Sequence, residues 1–323
     1  MLKITKSEPA LGASPTRNTS ALFARVSRNS ERIILPINDS ALNNNAPLPS
    51  FYCVHSVSGV AGTDFLALAQ RLDPSVRFFG IQAPPKMEDP DFGSSVQSLA
   101  AHYANALAKF QPDGPLLLGG YCVGAIVALE MAKILRGLGR TVGPLIVIDG
   151  VPENTGNPIR RRRPRYWLEL ARNLPGWVVH GDMMRGGSFQ SLIWSVSSNI
   201  SAIVKGAIGL KRGEKLGGGY AIDGIMDLAQ YPLAQKLFIN RLFGALFAYI
   251  PDKYAGEVVV YEAKITPLLY LPQIGQTWRN FAPQSEIVGI VGTHRSMMRE
   301  PYVDTLALDI RKRITEFFSP NVR

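Results

Sequence analysis

The sequence predicts an α/β fold: a mostly parallel sheet flanked by helices and interrupted once by an inserted helical block. Short apolar runs of strand length alternate with helix-period segments between Arg32 and Ile148, a pattern that implies right-handed βαβ crossovers. The alternation stops near Val151, and strand signals return only at Glu257. With 323 residues the chain suffices for one large domain with an insertion, and can bury a core without staples.

Residues 1–30 are rich in Ser, Thr, Asn, Arg and Lys without a sustained period, so a flexible tail is expected. Segments 33–37 and 50–55 read as strands, separated by a turn at Asn43-Asn44-Asn45. Residues 57–62 form a Ser/Gly loop, and 63–72 a helix capped by Thr63 or Asp64. A strand at 76–82 and a helix at 96–110 follow. Next come a buried strand at 115–119, a helix at 123–138 ending at Gly139, and a buried strand at 144–148. Between 155 and 250 the patterns are helical (166–174, 189–208, 237–249). Strands at 257–262 and 286–291 and a helix at 305–318 complete a domain over 31–323.

Lys and Arg outnumber Asp and Glu 35 to 25. That excess points to an acidic partner: nucleic acid, an anionic membrane or an acidic protein. Thirteen of the basic residues and five of the acidic ones fall in 155–250, among them Arg160-Arg161-Arg162-Arg163. Nucleic-acid binding calls for a recognisable module or a basic groove studded with aromatics, and the sequence has neither. Two cysteines argue against a disulfide scaffold and fit a reducing, cytoplasmic setting. No apolar run reaches the roughly 18 residues of a membrane span, and no secretory signal is expected.

The sharpest local feature is Gly120-Tyr121-Cys122-Val123-Gly124, lying between a strand and a helix. This is the spacing of a nucleophile elbow, in which the nucleophile sits on a strained turn and small neighbours avoid a clash. Here the nucleophile is Cys122, placed at a helix N-terminus that favours its thiolate. Of the four histidines, His294 follows the last strand and suits a loop returning over the elbow; it is the expected base. No Asp lies between Asp252 and Asp304, so the acid falls to Asp149, at the end of the strand 144–148. The oxyanion hole is expected from the N–H of Val123 and, from the loop Ser56-Val57-Ser58-Gly59, the N–H of Val57. His55 reads as structural.

In chain order, Tyr52-Cys53-Val54-His55-Ser56-Val57-Ser58-Gly59, Phe79-Gly80-Ile81-Gln82-Ala83-Pro84, the run from Gln111 to Gly120, and the run from Gly292 to Pro301 carry a resemblance. Together they resemble the thioesterase domains of non-ribosomal peptide synthetases and polyketide synthases, of α/β-hydrolase fold. The resemblance spans about residues 32–318. It departs from the family pattern in having Cys122 for serine, Ser56 for proline and Ala125 for glycine. It implies that an acyl or peptidyl chain is released from the phosphopantetheine arm of an acidic carrier protein, with the block at 155–250 as a lid over the acyl channel. It also supports Asp149 as the acid and implies no cofactor or metal of the chain's own. Hydrolysis, cyclisation and transfer all stay open, as do an editing thioesterase, an acyltransferase and, in another class, a non-catalytic binding module.

Overall fold

A computed structural model describes residues 32–42, 48–84, 91–151, 168, 231–265 and 273–319. Among them are seven strands: β1 (Ile34–Pro36), β2 (Ser50–Val54), β3 (Arg77–Ile81), β4 (Leu117–Tyr121), β5 (Leu145–Ile148), β6 (Val258–Ile265) and β7 (Glu286–Thr293). The helices are α1 (Asp39–Leu42), α2 (Ala61–Asp64), α3 (Leu66–Leu72), α4 (Val96–Phe110), α5 (Gly124–Gly137), α6 (Leu233–Ala248), α7 (Ile274–Phe281) and α8 (Val303–Phe318). The sheet order is β1-β3-β2-β4-β5-β6-β7. Only β1 runs antiparallel to its neighbour; every other pairing is parallel. The expected mostly parallel α/β sheet is therefore present.

Side chains of a strand alternate between the two faces of its sheet, and the core divides accordingly. Tyr52, Val54, Leu118, Leu145 and Val147 join α4, α5 and α6 on one face, with Leu107, Ile126 and Phe238. Phe51, Cys53, Leu117, Ile146 and Ile148 join α3 and α8 on the other, with Leu68, Leu306 and Ile310. Each fully buried Leu, Ile or Phe is worth about 1.5–3 kcal/mol. An exposed ion pair such as Arg71 with Glu300 is worth about 1 kcal/mol at most, so apolar packing dominates.

Several boundaries differ from the sequence reading. The helix expected over 63–72 is two pieces broken at Phe65, and α2 has Val60 as its N-cap with no side-chain cap. Asp64 bonds to the preceding loop instead. The strand before the elbow runs on to Tyr121, because Gly119, Gly120 and Tyr121 pair with β5. α4 starts from a reciprocal cap between Ser95 and Ser98. α7 has no counterpart in the sequence reading; it buries Trp278. The tail over 1–30, the turn at Asn43-Asn44-Asn45 and the helices expected over 166–174 and 189–208 lie outside the described residues, Leu168 excepted. The helix expected over 237–249 is α6, which begins one turn earlier. Among the described residues, no helix is long and apolar enough to cross a membrane.

Candidate active site

β4 occupies the middle of the sheet and delivers Cys122 at its C-terminal end. Cys122 has φ of +57°, a left-handed conformation that costs a non-glycine residue about 1–3 kcal/mol. The turn is held from both sides: the Cys122 N–H donates to the Ile148 carbonyl at 2.9 Å, and the Ala125 N–H donates to the Cys122 carbonyl at 3.2 Å. A Cβ on Gly120 would strike the backbone of Gly124, and one on Gly124 would strike the carbonyls of Val54 and His55. β2, β4 and the first turn of α5 thus meet backbone to backbone. Ala125 is accommodated because Gly150 faces it; a side chain at 150 would come within 2.6 Å of the Ala125 methyl.

Asp149 leaves the end of β5, also left-handed, with φ of +46°. Both of its carboxylate oxygens are engaged. Oδ1 accepts from the Ala263 N–H at 2.7 Å, and Oδ2 accepts from His294 Nδ1 at 2.6 Å. Its own N–H donates to the Tyr261 carbonyl at 2.8 Å. Behind it, the Trp278 indole N–H donates to the Gly150 carbonyl at 2.7 Å, so α7 braces the turn that carries the acid.

His294 follows β7, with 36% of its side chain exposed against 6% for Asp149. Since Nδ1–H serves the carboxylate, Nε2 is the nitrogen left for Cys122. Burial opposes the imidazolium, but the charge of Cys122 and the bonds to Asp149 and Cys122 outweigh it and push the His294 pKa up to about 10. The Tyr121 ring stacks on this imidazole, and its hydroxyl donates to the His294 carbonyl.

Val123 stands at the N-cap of α5, which has no side-chain cap. Among the described residues, neither the Val123 nor the Val57 N–H meets an acceptor. Val57 lies in the turn after β2. The Ser56 N–H donates to Asp64 Oδ2 at 3.1 Å, and the Ser58 hydroxyl to the same oxygen at 3.4 Å. From α6, Gln235 Nε2 donates to the Ser58 carbonyl at 2.6 Å.

His55 is enclosed and structural. Its Nδ1 donates to the Ser56 carbonyl, which leaves Nε2 to accept from the Tyr103 hydroxyl at 2.7 Å. Burial holds its pKa down at about 4. Cys53 is buried in β2, where desolvation pushes its thiol pKa well up. Among the described residues no group of three His, Cys, Asp or Glu side chains suits a metal ion.

The structure therefore brings Cys122, Asp149 and His294 together. The sequence reading missed Tyr121, Asp64, Gln235 and Trp278. Of these only Tyr121 had a local signal, its place beside the nucleophile.

The thioesterase-domain family model matches residues 49–169. Malpinin synthetase from Mortierella alpina is 32% identical over 101 residues, 31% of this chain and 1% of the synthetase. The non-reducing polyketide synthase tpeB of Talaromyces stipitatus is 30% identical over 129 residues, 38% of this chain and 6% of the synthase. The chain thus spans a small part of the curated relatives it matches. The crystal structure of the NocB thioesterase domain superposes with a TM-score of 0.53 at 18% identity, over 87% of this chain and 98% of that one; at that identity the likeness speaks for the fold. Elbow, family match and relatives converge: over residues 49–169 the chain is similar to thioesterase domains, and it has the α/β-hydrolase fold of the thioesterase domains of non-ribosomal peptide synthetases and polyketide synthases.

Proposed function

We propose that this chain releases an acyl or peptidyl group from the phosphopantetheine thioester of a carrier protein through an acyl–Cys122 intermediate. The observation that carries this is the line from Cys122, at the end of the central strand, through His294 after β7 to Asp149 after β5. Cys122 Sγ attacks the thioester carbonyl while the N–H groups of Val57 and Val123 stabilise the oxyanion. The tetrahedral intermediate collapses, the C–S bond to pantetheine breaks, and the departing thiolate takes a proton from His294. Water, an internal hydroxyl or amine, or an external acceptor then attacks the acyl–Cys122 carbonyl. His294 accepts the attacking proton, and Cys122 leaves as thiolate. Asp149 fixes the imidazole tautomer and stabilises its charged form throughout.

The cysteine biases the outcome. Exchange of one thioester for another is nearly isoenergetic, so acyl–Cys122 stays activated, and thioesters are more reactive toward amines than toward water. Cyclisation and transfer are therefore favoured relative to what a serine ester would allow. The segment 155–250 acts as the lid, and its surplus of Lys and Arg fits an acidic carrier domain and its phosphate. Incubation with an acyl-pantetheine thioester followed by intact mass measurement tests the proposal. An adduct present in the native chain and absent from Cys122→Ala is the expected result; labelling elsewhere would sink it, and a non-catalytic binding module would gain.

A further inference from the structure

We propose that Asp64 and Gln235 are positioning residues that together set the Val57 N–H as an oxyanion donor. This rests on the reading of Cys122 and Val57 above and adds to it what holds the second donor in place. Val57 sits in a two-sided clamp. On one side the Asp64 carboxylate takes the Ser56 N–H and the Ser58 hydroxyl. On the other, the Gln235 amide donates to the Ser58 carbonyl at 2.6 Å. The clamp grips the residues immediately before and after Val57, which leaves the Val57 N–H itself without an acceptor among the described residues.

Two further features make the clamp more than loop packing. First, Asp64 lies close enough to the site for the charge of His294 to act on it. Second, α6 seats the turn physically: Val57 packs against Ile239 and Phe243, and a Cβ on Gly59 would strike the Phe238 ring at 2.9 Å.

The chemistry offers a clean separation. Attack on an ester carbonyl builds an oxyanion, whereas alkylation by iodoacetamide is a displacement at a saturated carbon that builds none. A defect in the oxyanion turn therefore slows the first reaction and spares the second. The probe is p-nitrophenyl acetate, whose small acyl group makes no demand on the lid; acylation of Cys122 releases p-nitrophenolate. Loss of an oxyanion donor outright slows turnover by about 100-fold or more, and a donor left in place but loosely set is expected to lose about tenfold.

Gln235→Glu, which keeps the size but replaces the donor, and Asp64→Ala, which removes the acceptor, are each expected to slow acylation about tenfold. Compared on the high-pH plateau, where Cys122 is thiolate whatever the charge at position 64, their iodoacetamide rates should stay within about twofold of the native chain. Native acylation rates in both variants would overturn the proposal. A parallel fall in both reactions would also overturn it, because the residues would then act on the nucleophile or the fold. If the native chain itself forms no acetyl–Cys122, the reading of Cys122 as nucleophile fails, and this proposal with it.

Discussion

The Tyr121 ring lies on the His294 imidazole with centroids 4.8 Å apart and planes 22° from parallel, and its hydroxyl donates to the His294 carbonyl at 2.8 Å. One residue thus holds both the ring and the backbone of the expected base, from a position adjacent to the expected nucleophile. A neutral hydrogen bond of this kind is worth about 1 kcal/mol net. Tyr121→Phe should therefore lower the rate of Cys122 acylation several-fold, and Tyr121→Leu, which removes the stack as well, considerably more. Stopped-flow release of p-nitrophenolate measures both, and equal rates in Tyr121→Leu and the native chain would refute the role.

The elevated His294 pKa, about 10, owes much to its partners. Removing the charge of Cys122 takes away one raising influence while burial remains. The His294 imidazole should therefore titrate at lower pH in Cys122→Ala than in the native chain. NMR of the imidazole C–H resonances reads this directly; an unchanged midpoint would show that Cys122 and His294 do not interact.

His55 gives an acid limit to stability. Its folded pKa of about 4 lies below its ordinary 6.5, so the unfolded chain binds the additional proton between those values. Its contribution is complete above pH 6.5 and is lost as pH falls toward 4, by about 3 kcal/mol in all. Urea midpoints measured from pH 7 to pH 4 should fall, and fall less steeply in His55→Gln. Parallel slopes would mean that other groups account for the acid sensitivity.

The elbow tolerates no side chain at Gly124. A methyl there meets the carbonyls of Val54 and His55, both on a buried strand end that has nowhere to move. Gly124→Ala should destabilise the fold by about 3 kcal/mol or more, at the upper end for a single methyl. By contrast Gly137→Ala, which meets nothing within 4 Å, should be neutral or slightly stabilising in the same helix. Urea unfolding of the two variants side by side makes the comparison.

What was legible in the sequence is what local pattern encodes. The elbow was visible because two glycines flank Cys122 at fixed spacing, and Asp149 because it ends a buried strand. His294 was visible because few histidines compete. Asp64 looked like a helix cap because a cap and a loop brace use the same residue type, and only the fold shows the carboxylate turned back to Ser56. Gln235 meets Ser58 across 177 residues of sequence, and Trp278 meets Gly150 across 128. Pairings at such separations leave no periodic trace. The strand before the elbow runs two residues beyond its sequence pattern, because glycines usually end strands, whereas here they are kept for close approach.

Cys53 is sealed within β2 while Cys122 reaches solvent. Under native conditions the chain therefore presents a single thiol to small reagents, and a fluorophore or crosslinker would attach at Cys122 with unit stoichiometry. The one disposable background thiol is already hidden by the fold, so a tag on the elbow can be installed without prior engineering.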